Sequence, residues 1–593
     1  MATVETPPDL DPGDERRDPA DASAWHSLVE GRMSRRTLLK GAAAGAVAAA
    51  VPLQLRTETA TATGRPHGRR RAFFSPIAPT AADALVLPRG FRADVLAAYG
   101  SPIGKGLTAG FNHDWIGYYP IDLLERGTDP FAPDRGFSPK RASSREGLLV
   151  INHEYVNPLF VGGYSGSGPK SPEQLAAEQA EQGISVLRVR RDRRGRWSVV
   201  EDDDAYARRI DATSALTLDG PAAAIDGGPA AVGTFANCSG GMTPWGTALS
   251  CEENFAEYTA ASPAGSGWPA EPYGRRHYGW VVEVDPFDRS STPRKHTAMG
   301  LFRHENVAIR VGRDGTVVAY MGDDKADSCV YKFVADTKLS RSREANMSIL
   351  SSGKLYVANF GKGAWVLLDY DSSDALKAAV KADGTPQFAS QTDVLADARG
   401  AALVAGGTPV DRPEDIEVNP VDHSVFVALT NNTGHGNFHG QIVRLAEADD
   451  DPAATAFEWS IFAVGGPQSG FSSPDNLIFD AAGDLWMVTD ISSSSIGTGI
   501  YAFQGNNALF YLPTSGPDAG TAYQFASGPV QCEMTGPQWT PDGSTLFLSV
   551  QHPGEGSPSA DAPTSRWPNG GADIPRPASV AITGPWEARR GRR

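Results

Sequence analysis

Short runs of alternating apolar and polar residues, joined by turn residues, recur through the second half of the chain. Five pairs of such runs, each joined by a turn that contains Gly, Asp or Asn, lie at 308–321, 347–358, 416–429, 477–488 and 538–550. Period-two alternation around such a turn predicts a β-hairpin. Phe426, Trp486 and Phe547 occupy equivalent places in the last three pairs, 60 and 61 residues apart. A hairpin that recurs with insertions predicts the blades of a propeller.

The chain is therefore expected to be all-β, a β-propeller of about six blades with insertions and a few short helices. Ser171–Gln182 is the clearest helical stretch, because Ser171 is a favourable N-cap and Pro172 suits the first turn. A pair of β-sandwiches is the rival architecture. We favour the propeller because carboxylates recur at matching places in several hairpins, as convergence on one central channel requires.

The N-terminal region has the features of an export signal. Residues 1–33 are polar, acidic and rich in Pro and Asp, which predicts disorder. Arg35 and Arg36 then precede the apolar run Gly41–Leu53. A candidate cleavage site follows at Ala60–Ala62. This order is typical of a twin-arginine signal, and the run is too short and too rich in Ala and Gly for a good membrane span. The alternative is a short apolar helix with arginines present by chance.

The export interpretation divides the chain into four parts. Residues 1–62 form the N-terminal region and signal, 63–84 a basic, Pro-rich linker, 85–585 the propeller and 586–593 a basic tail. We expect a monomer that is exported by the twin-arginine machinery to the periplasm, the cell wall or the medium. Its mature form would have no stable membrane span. Such substrates cross the membrane folded, so a cofactor can be loaded in the cytoplasm.

Composition narrows the classes of function. The 593 residues carry a net charge of −16, which argues against a nucleic-acid binder because such a protein needs a basic face. The 64 Gly and 44 Pro residues suit a turn-rich all-β chain better than a helical one. Four cysteines are too few for a disulfide scaffold, although they allow one or two disulfides.

The stretch 237–254 concentrates reactive side chains. It contains two cysteines and two adjacent carboxylates, which are Cys238, Cys251, Glu252 and Glu253. A short buried strand would place the carboxylates at its tip beside the thiol of Cys238, and such a set can cradle a metal ion. The alternative is a Cys238–Cys251 disulfide that closes a hairpin, with both carboxylates in solvent. The residues alone leave both interpretations open.

Other polar residues flank the predicted strands, and nearly all of them are oxygen donors. They are Asn152, His153, Glu154, Arg303–Asn306, Asp323, Asp324, Arg412–Asp415, Asp475, Asn476 and Asp490. Oxygen-rich sites suit calcium, and a carboxylate site with one thiolate can take iron. A zinc enzyme would show clustered His or paired Cys. His435 and His439 lie in a glycine loop, where nothing nearby in the sequence completes a site.

Short motifs around these residues form a specific set. They are Asn-His-Glu-Tyr at 152–155, Asn-Cys-Ser-Gly-Gly-Met-Thr-Pro-Trp-Gly-Thr at 237–247, Cys-Glu-Glu-Asn at 251–254, Phe-Arg-His-Glu-Asn at 302–306, Tyr-Met-Gly-Asp-Asp at 320–324, Tyr-Lys-Phe at 331–333, Arg-Pro-Glu-Asp-Ile-Glu at 412–417, Ser-Pro-Asp-Asn at 473–476 and Thr-Gly-Pro-Gln-Trp-Thr-Pro-Asp-Gly at 535–543. This set resembles the PhoX family of alkaline phosphatases between residues 85 and 570. The resemblance implies a twin-arginine-exported propeller that hydrolyses phosphate monoesters at an iron–calcium cluster in its channel.

The same resemblance implies roles for individual residues. The implied iron ligands are Cys238, Glu253 and Glu305, and the implied calcium ligands are Glu154, Glu414 and Asp475. The implied catalytic residues are Arg412, which binds the phosphate anion, and Glu253.

Two points of the resemblance stay open. Glu252 and Glu253 are adjacent, and the spacing from Cys238 favours Glu253 as the ligand. The family often has a cysteine in the Thr-Gly-Pro motif, whereas in this chain Cys532 stands a few residues upstream. We interpret Cys532 and Cys329 as packing residues or as a disulfide pair.

The expected chemistry follows from charge. A phosphate monoester is a dianion, which a carboxylate-lined channel repels unless bound cations reverse the field. Metals would also activate a water or hydroxide, and the absence of a G-x-S-x-G motif argues against a serine nucleophile. Two other functions fit a propeller: a calcium-dependent lactonase or esterase, and a non-enzymatic exported propeller that binds a ligand. Neither needs Cys238 beside Glu253, so this pair favours the phosphatase.

Overall fold

The computed structural model describes residues 25–29, 32, 72–124, 142–166, 168–203, 205–259 and 266–586. Within them, six sheets form the blades of a β-propeller. The innermost strand of each blade packs against the innermost strand of the next blade, and these contacts close into a ring. The all-β propeller of six blades is thus confirmed, and the pair of sandwiches is wrong.

In each of the first three blades, the strand named first lies at the channel, and the following strands lie progressively nearer the outer edge. Blade 1 contains His113–Pro120, Glu146–His153, Gly183–Arg191 and Trp197–Val199, with Arg208–Ile210 beside its third strand. Blade 2 contains Asn237–Met242, Ala248–Glu252, Val281–Val284, Arg294–His296, Ala215–Asp219 and Ala230–Val232. Blade 3 contains Ala308–Val311, Val317–Gly322, Val330–Ala335, Gly353–Asn359 and Ala364–Leu367.

The last three blades complete the ring. Blade 4 contains Pro413–Val418, Val425–Leu429, Gln441–Glu447 and Phe457–Val464. Blade 5 contains Pro474–Phe479, Leu485–Thr489, Ala508–Leu512 and Tyr523–Ser527. Blade 6 contains Glu533–Trp539, Thr545–Gln551, Ala578–Thr583 and the N-terminal strand Arg92–Ala98. Blade 6 therefore joins the two ends of the propeller through the antiparallel pairing of Arg92–Ala98 with Ala578–Thr583.

Smaller elements lie between the blade strands. Two short ladders pair Pro102–Gly104 with Leu107–Thr108, and Ala326–Ser328 with Val410–Asp411. The helices span Pro172–Glu181, Ala270–Tyr273, Arg343–Asn346, Asp374–Ala378, Gln391–Ala396 and Ala398–Val404, and residues 25–29 are also helical. Among the described residues, none of the helices combines the length and the apolar character needed to cross a membrane.

Local signals in the sequence explain most of these elements. The helix Pro172–Glu181 begins as predicted, because the Ser171 hydroxyl accepts from Gln174 N and the Gln174 side chain accepts from Ser171 N. Four of the five predicted hairpins are confirmed. The hairpin over 347–358 is wrong in its first half. Ile349 and Leu350 lie in a 3-10 turn that buries both side chains, so this apolar pair belongs to a helical turn rather than to an alternating strand.

Three buried aromatic residues tie consecutive blades together. Phe426, Trp486 and Phe547 lie in the second strands of blades 4, 5 and 6 and have no exposed surface. Each packs on a ring of the next blade, with centroid distances of 5.0 Å for Phe426–Phe479, 5.4 Å for Trp486–Trp539 and 5.3 Å for Tyr118–Phe547. Their regular spacing in the sequence therefore marks one interblade contact per blade.

Residues beyond the expected limits of the domain also pack on the propeller. Phe74, in the expected linker, stacks on Trp486 of blade 5. Trp586, the first residue of the expected tail, is buried in the same apolar cluster. Residues 25–29, which composition predicted to be disordered, are helical and contain the buried Trp25. The expected arginine pair, the cleavage site and residues 587–593 lie outside the described residues.

Candidate active site

The inner strands share one backbone irregularity. In five blades the ladder between the inner and second strands contains a bulge, at which the inner strand has one residue more than its partner. The first unpaired residues of these bulges are Asp114, Cys238, Glu414, Asp475 and Gly536. In blade 3 a bridge between His304 and Asp323 gives Glu305 the same place. Bulges redirect side chains, so the same backbone device presents a candidate ligand in five of the six blades.

A second set of acidic residues comes from the second strands. Glu154, Glu253 and Asp490 each follow directly after the second strand of their blade. Because paired strands are antiparallel, the end of the second strand lies beside the start of the inner strand. The two sets therefore meet at one end of the propeller channel.

Seven of these side chains form one connected group, which we call the channel cluster. Three sets have ligand atoms that all lie within 4.8 Å of one another: Asp114–Glu154–Cys238, Cys238–Glu253–Glu305 and Glu305–Glu414–Asp475. Cys238 and Glu305 each belong to two sets, so the three sets are continuous. The structure thus brings together all six residues expected to bind metal, and it adds Asp114.

Burial and mutual repulsion raise pKa values throughout the channel cluster. Burial raises the pKa of Asp114 to about 6 and, together with the charge of Asp114, raises the pKa of Glu154 to about 8. Burial, and then the neighbouring carboxylates, raise the pKa values of Glu253, Glu305 and the Cys238 thiol well above their ordinary range. So many buried acids become anions together only when cations compensate their charge.

The channel cluster fits metal ions. Glu305 Oε2 is buried and accepts no hydrogen bond from the described residues, although Oε1 receives the Cys238 thiol at 3.3 Å. A buried carboxylate oxygen without a donor is costly unless an ion supplies the missing charge. Six carboxylates suit hard cations, and the single thiol adds a ligand that suits a transition metal.

The structure separates Glu252 from Glu253. Glu252 faces away from the channel cluster: Lys295 Nζ lies 2.6 Å from its Oε1, Thr234 donates to the same oxygen, and Gly279 N donates to Oε2. Glu252 and Lys295 have no exposed surface. Glu253 instead lies within ligand distance of Cys238 and Glu305. The geometry therefore leaves Glu253, and not Glu252, available to a metal.

None of the four cysteines forms a disulfide. Cys251 and Cys329 are completely buried in one apolar cluster, and Cys532 is buried in another. The Cys238–Cys251 and Cys329–Cys532 disulfide alternatives are therefore wrong. Cys238 belongs to a bulge that turns toward the channel, whereas Cys251 belongs to a regular strand that packs in the core.

Arg412 borders the channel cluster and is held by two carboxylates. Its Nε and Nη2 donate to the two oxygens of Asp324 at 2.9 and 2.6 Å, and Nη2 also lies 2.6 Å from Glu414 Oε1. Its backbone φ is 50°, a left-handed value that non-glycine residues seldom adopt. The side chain keeps 28% of its surface exposed. Arg412 is thus oriented by protein contacts and is still accessible to an anion.

In blades 3, 4 and 5, the residue that follows the candidate ligand of the inner strand joins its blade to the next one by hydrogen bonds. The contacts are Asn306 with both backbone groups of Ile416, Asp415 with Leu477 N at 3.0 Å, and Asn476 with Gly536 N at 2.8 Å. Each contact involves the residue directly after a member of the channel cluster. These hydrogen bonds therefore fix the positions of the candidate ligands relative to one another.

Sequence reasoning missed Asp114. It follows His113 at the start of an inner strand, just as Glu305 follows His304, and this shared pattern could have revealed it. Thr535 and Gln551 of blade 6 donate to its two oxygens at 2.5 and 3.0 Å.

The two loop histidines do not share a site. His435 Nδ1 lies 3.2 Å from Asp411 Oδ1, whereas His439 Nδ1 bonds Ser472 Oγ at 2.6 Å. Neither of them belongs to the channel cluster.

Comparison with known proteins indicates one family. The family model described as alkaline phosphatase PhoX matches residues 72–554. Among solved structures, Pseudomonas fluorescens PhoX in complex with vanadate, a transition-state analogue, is 32% identical with a TM-score of 0.73, and the match covers 87% of this chain and 98% of that chain. A gluconolactonase from Xanthomonas campestris, at 11% identity and a TM-score of 0.30 over 82% of this chain and 100% of that chain, is too distant to support an argument. No curated protein sequence matches.

The matched range contains every residue of the channel cluster and Arg412. The family model covers well over half of the chain, and the structural match extends over nearly all of the Pseudomonas protein. The chain therefore belongs to the PhoX family of alkaline phosphatases, which are phosphoric monoester hydrolases.

Proposed function

We propose that the channel cluster binds iron and calcium, and that the chain hydrolyses phosphate monoesters at this centre. The observation that carries the proposal is the connection of three candidate metal sets through Cys238 and Glu305. The proposed iron ligands are Cys238, Glu253 and Glu305, and the proposed calcium ligands are Glu154, Glu414 and Asp475, with Asp114 in addition. Thiolate and carboxylates together suit iron, and carboxylates alone suit calcium.

The charge of the substrate supports this proposal. A phosphate dianion needs positive charge around it, and a channel lined with six carboxyl groups supplies none by itself. When bound, the cations would supply this charge, polarise the phosphoryl oxygens and lower the pKa of a bound water. The protein contributes the fixed positions of the ligands, which the interblade hydrogen bonds of Asn306, Asp415 and Asn476 support.

We assign Arg412 to the phosphoryl group. A guanidinium can donate to two oxygens of a phosphate at once. Asp324 binds its Nε–Nη2 edge, so the Nη1 end is the part that can meet the substrate. Such donors contribute most when negative charge spreads over the equatorial oxygens in the transition state. Asp324 would then act as a positioning residue for Arg412.

Export by the twin-arginine route also belongs to the proposal. It rests on Arg35 and Arg36 before the apolar run 41–53 and on the candidate cleavage site at 60–62. Transport of a folded protein would allow the buried cluster to receive its metals in the cytoplasm. The mature chain would then act in the periplasm, at the cell wall or in the medium, as a monomer.

Metal analysis together with enzyme assays tests the proposed centre. We expect the purified full-length protein to contain iron and calcium and to hydrolyse p-nitrophenyl phosphate. A calcium chelator should remove the activity, and added calcium should restore it. Full activity in protein without iron would contradict the iron assignment. Lactone hydrolysis without phosphatase activity would favour the lactonase, and the absence of both activities would favour a ligand-binding propeller.

A further inference from the structure

A short N-terminal segment, residues 25–29 and 32, occupies the boundary between blades 3 and 4. Trp25 has no exposed surface, and its ring stacks on Trp459 and meets the edge of Phe360, at a centroid distance of 5.2 Å in each case. Phe360 follows directly after a strand of blade 3, and Trp459 lies in the outer strand of blade 4. The pocket for Trp25 therefore exists only where these two blades are folded and packed.

Contacts along the segment strengthen this docking. Val29 is buried in the same apolar cluster, and Leu28 lies beside Gly361. The Arg32 guanidinium lies 3.9 Å from the centroid of the Trp459 ring, and Arg32 also donates to the Trp459 carbonyl. A buried tryptophan and a stacked arginine are the side chains that dominate specific peptide interfaces.

The ends of the segment are fixed as well. At its N-terminal end, His26 Nε2 lies 4.0 Å from Asp411 Oδ2, and its ring lies against His435. At its C-terminal end, Arg32 precedes Arg35 by only three residues. Three residues of extended chain span at most about 11 Å. The arginine pair of the proposed export signal is therefore tethered, through three residues of chain, to a residue that contacts Trp459.

We propose that residues 25–29 and Arg32 are an intramolecular peptide ligand, a clasp that binds the groove between blades 3 and 4 and restrains access of an export receptor to the arginine pair that follows in the sequence. This inference rests on the proposed export route. An export receptor has to surround the arginine pair, so its binding competes with the clasp. The receptor's apparent affinity for the arginine pair is then its intrinsic affinity multiplied by the fraction of molecules in which the clasp is open. The groove forms only when blades 3 and 4 are folded and packed together. The clasp can therefore restrain receptor binding only in folded chains.

Cross-linking of the full chain tests the docking itself. Leu28→Cys combined with Gly361→Cys places two thiols across the groove, and a side chain at Gly361 meets no atom closer than 3.5 Å. The four native cysteines are buried. We expect a short bismaleimide to join the pair, and Trp25→Ala to reduce the yield about tenfold or more, because the aromatic anchor is lost. Trp25→Phe should keep most of the yield. The matched control pairs Leu28→Cys with Val421→Cys, which is 61% exposed on blade 4, and it should not react.

Export kinetics test the restraint. Trp25→Ala should shorten the half-time of export in a pulse-chase experiment, whereas Trp25→Phe should export like the original chain. Phosphatase activity should be unchanged in both variants, because Trp25 lies outside the channel cluster. Failure of the original pair to cross-link, or unchanged export in Trp25→Ala, would overturn the clasp. If the arginine pair proves unnecessary for export while cross-linking succeeds, the export proposal fails and the docking stands.

Discussion

Cys238 of blade 2 and Glu305 of blade 3 meet at 3.3 Å between Sγ and Oε1, and each occupies the first bulge position of its blade. This contact joins the three candidate metal sets into one. It also pairs the only thiol of the channel cluster with a carboxylate whose second oxygen, Glu305 Oε2, lacks a hydrogen-bond donor among the described residues. The pair is therefore the place where a ligand substitution should separate metal binding from folding.

Substitution of Cys238 by Ser should remove iron with little loss of stability. The hydroxyl is similar in size but is a much poorer anion at neutral pH, so we expect iron content and phosphatase activity to fall by at least about tenfold. Calcium binding should partly survive. Cys251→Ser is the matched control, because it buries a hydroxyl in an apolar core: it should lose about 1–3 kcal/mol of stability and keep its iron. Retention of iron and activity in Cys238→Ser would contradict the ligand assignment.

Glu252 and Glu253 should behave in opposite ways. Lys295→Met leaves the buried Glu252 carboxylate without its cation, so the free energy of unfolding should fall by about 3–5 kcal/mol while each folded molecule keeps its metal. Glu253→Gln should lose iron, yet in the presence of a chelator it should be at least as stable as the original chain, because the neutral amide replaces a carboxyl whose ionisation the buried site opposes. Urea unfolding and elemental analysis check both variants. Metal loss in Lys295→Met instead of Glu253→Gln would reverse the assignment.

Removal of the Arg412 guanidinium should impair catalysis without loss of the bound metal ions. We expect Arg412→Lys to lower kcat/KM about 10²–10³-fold, since the planar fork is lost, and to weaken inhibition by inorganic phosphate. Asp324→Asn, which keeps the size of the side chain but loses its charge and one of the two acceptors of Arg412, should have a smaller effect. Iron and calcium contents should be unchanged in both variants. Normal kinetics in Arg412→Lys would show that the guanidinium does not meet the substrate.

Stability should depend on pH in opposite directions with and without metal. The pKa of Glu154 is raised from 4.5 to about 8, so the folded state without metal binds more protons than the unfolded chain between these values. Stability of chelated protein should therefore fall as pH rises from about 4.5 to about 8. With saturating calcium the trend should disappear or reverse, because the ion needs deprotonated ligands. Thermal unfolding across this range measures both trends, and Glu154→Gln should flatten the slope of the chelated protein.

The arginine pair should decide whether the chain leaves the cytoplasm. Arg35→Lys combined with Arg36→Lys preserves charge but removes both guanidinium groups, so we expect precursor to accumulate inside the cell. Cell fractionation with an antibody against the propeller measures the distribution. Normal amounts of the double variant outside the cytoplasm would contradict the twin-arginine interpretation.

The repeating parts of the fold could be predicted from the sequence because they depend on local patterns. Alternation and turn residues identified four hairpins, and Phe426, Trp486 and Phe547 marked the blade period. The apolar pair Ile349–Leu350 was assigned wrongly, because a short apolar run looks the same in a strand and in a buried helical turn.

The remaining features depend on contacts that no local pattern encodes. Lys295 decides the orientation of Glu252, although it lies 43 residues further along the chain. Trp25 lies in a region whose composition is typical of disorder, and its pocket is formed by Phe360 and Trp459. Motifs could place Glu305, Glu414 and Asp475 near the channel, but their mutual distances depend on how each bulge meets the neighbouring blade.

Blade 6 combines strands that are far apart in the sequence, and this has a consequence for synthesis of the chain. Its strand Arg92–Ala98 is translated long before the partner Ala578–Thr583 leaves the ribosome. Until Ala578–Thr583 has paired in blade 6, the propeller ring is not closed. Thr535 and Gln551 then cannot be held in place against Asp114. A nascent or prematurely terminated polypeptide therefore cannot assemble the complete centre. Assembly of the centre has to await synthesis of the strand Ala578–Thr583.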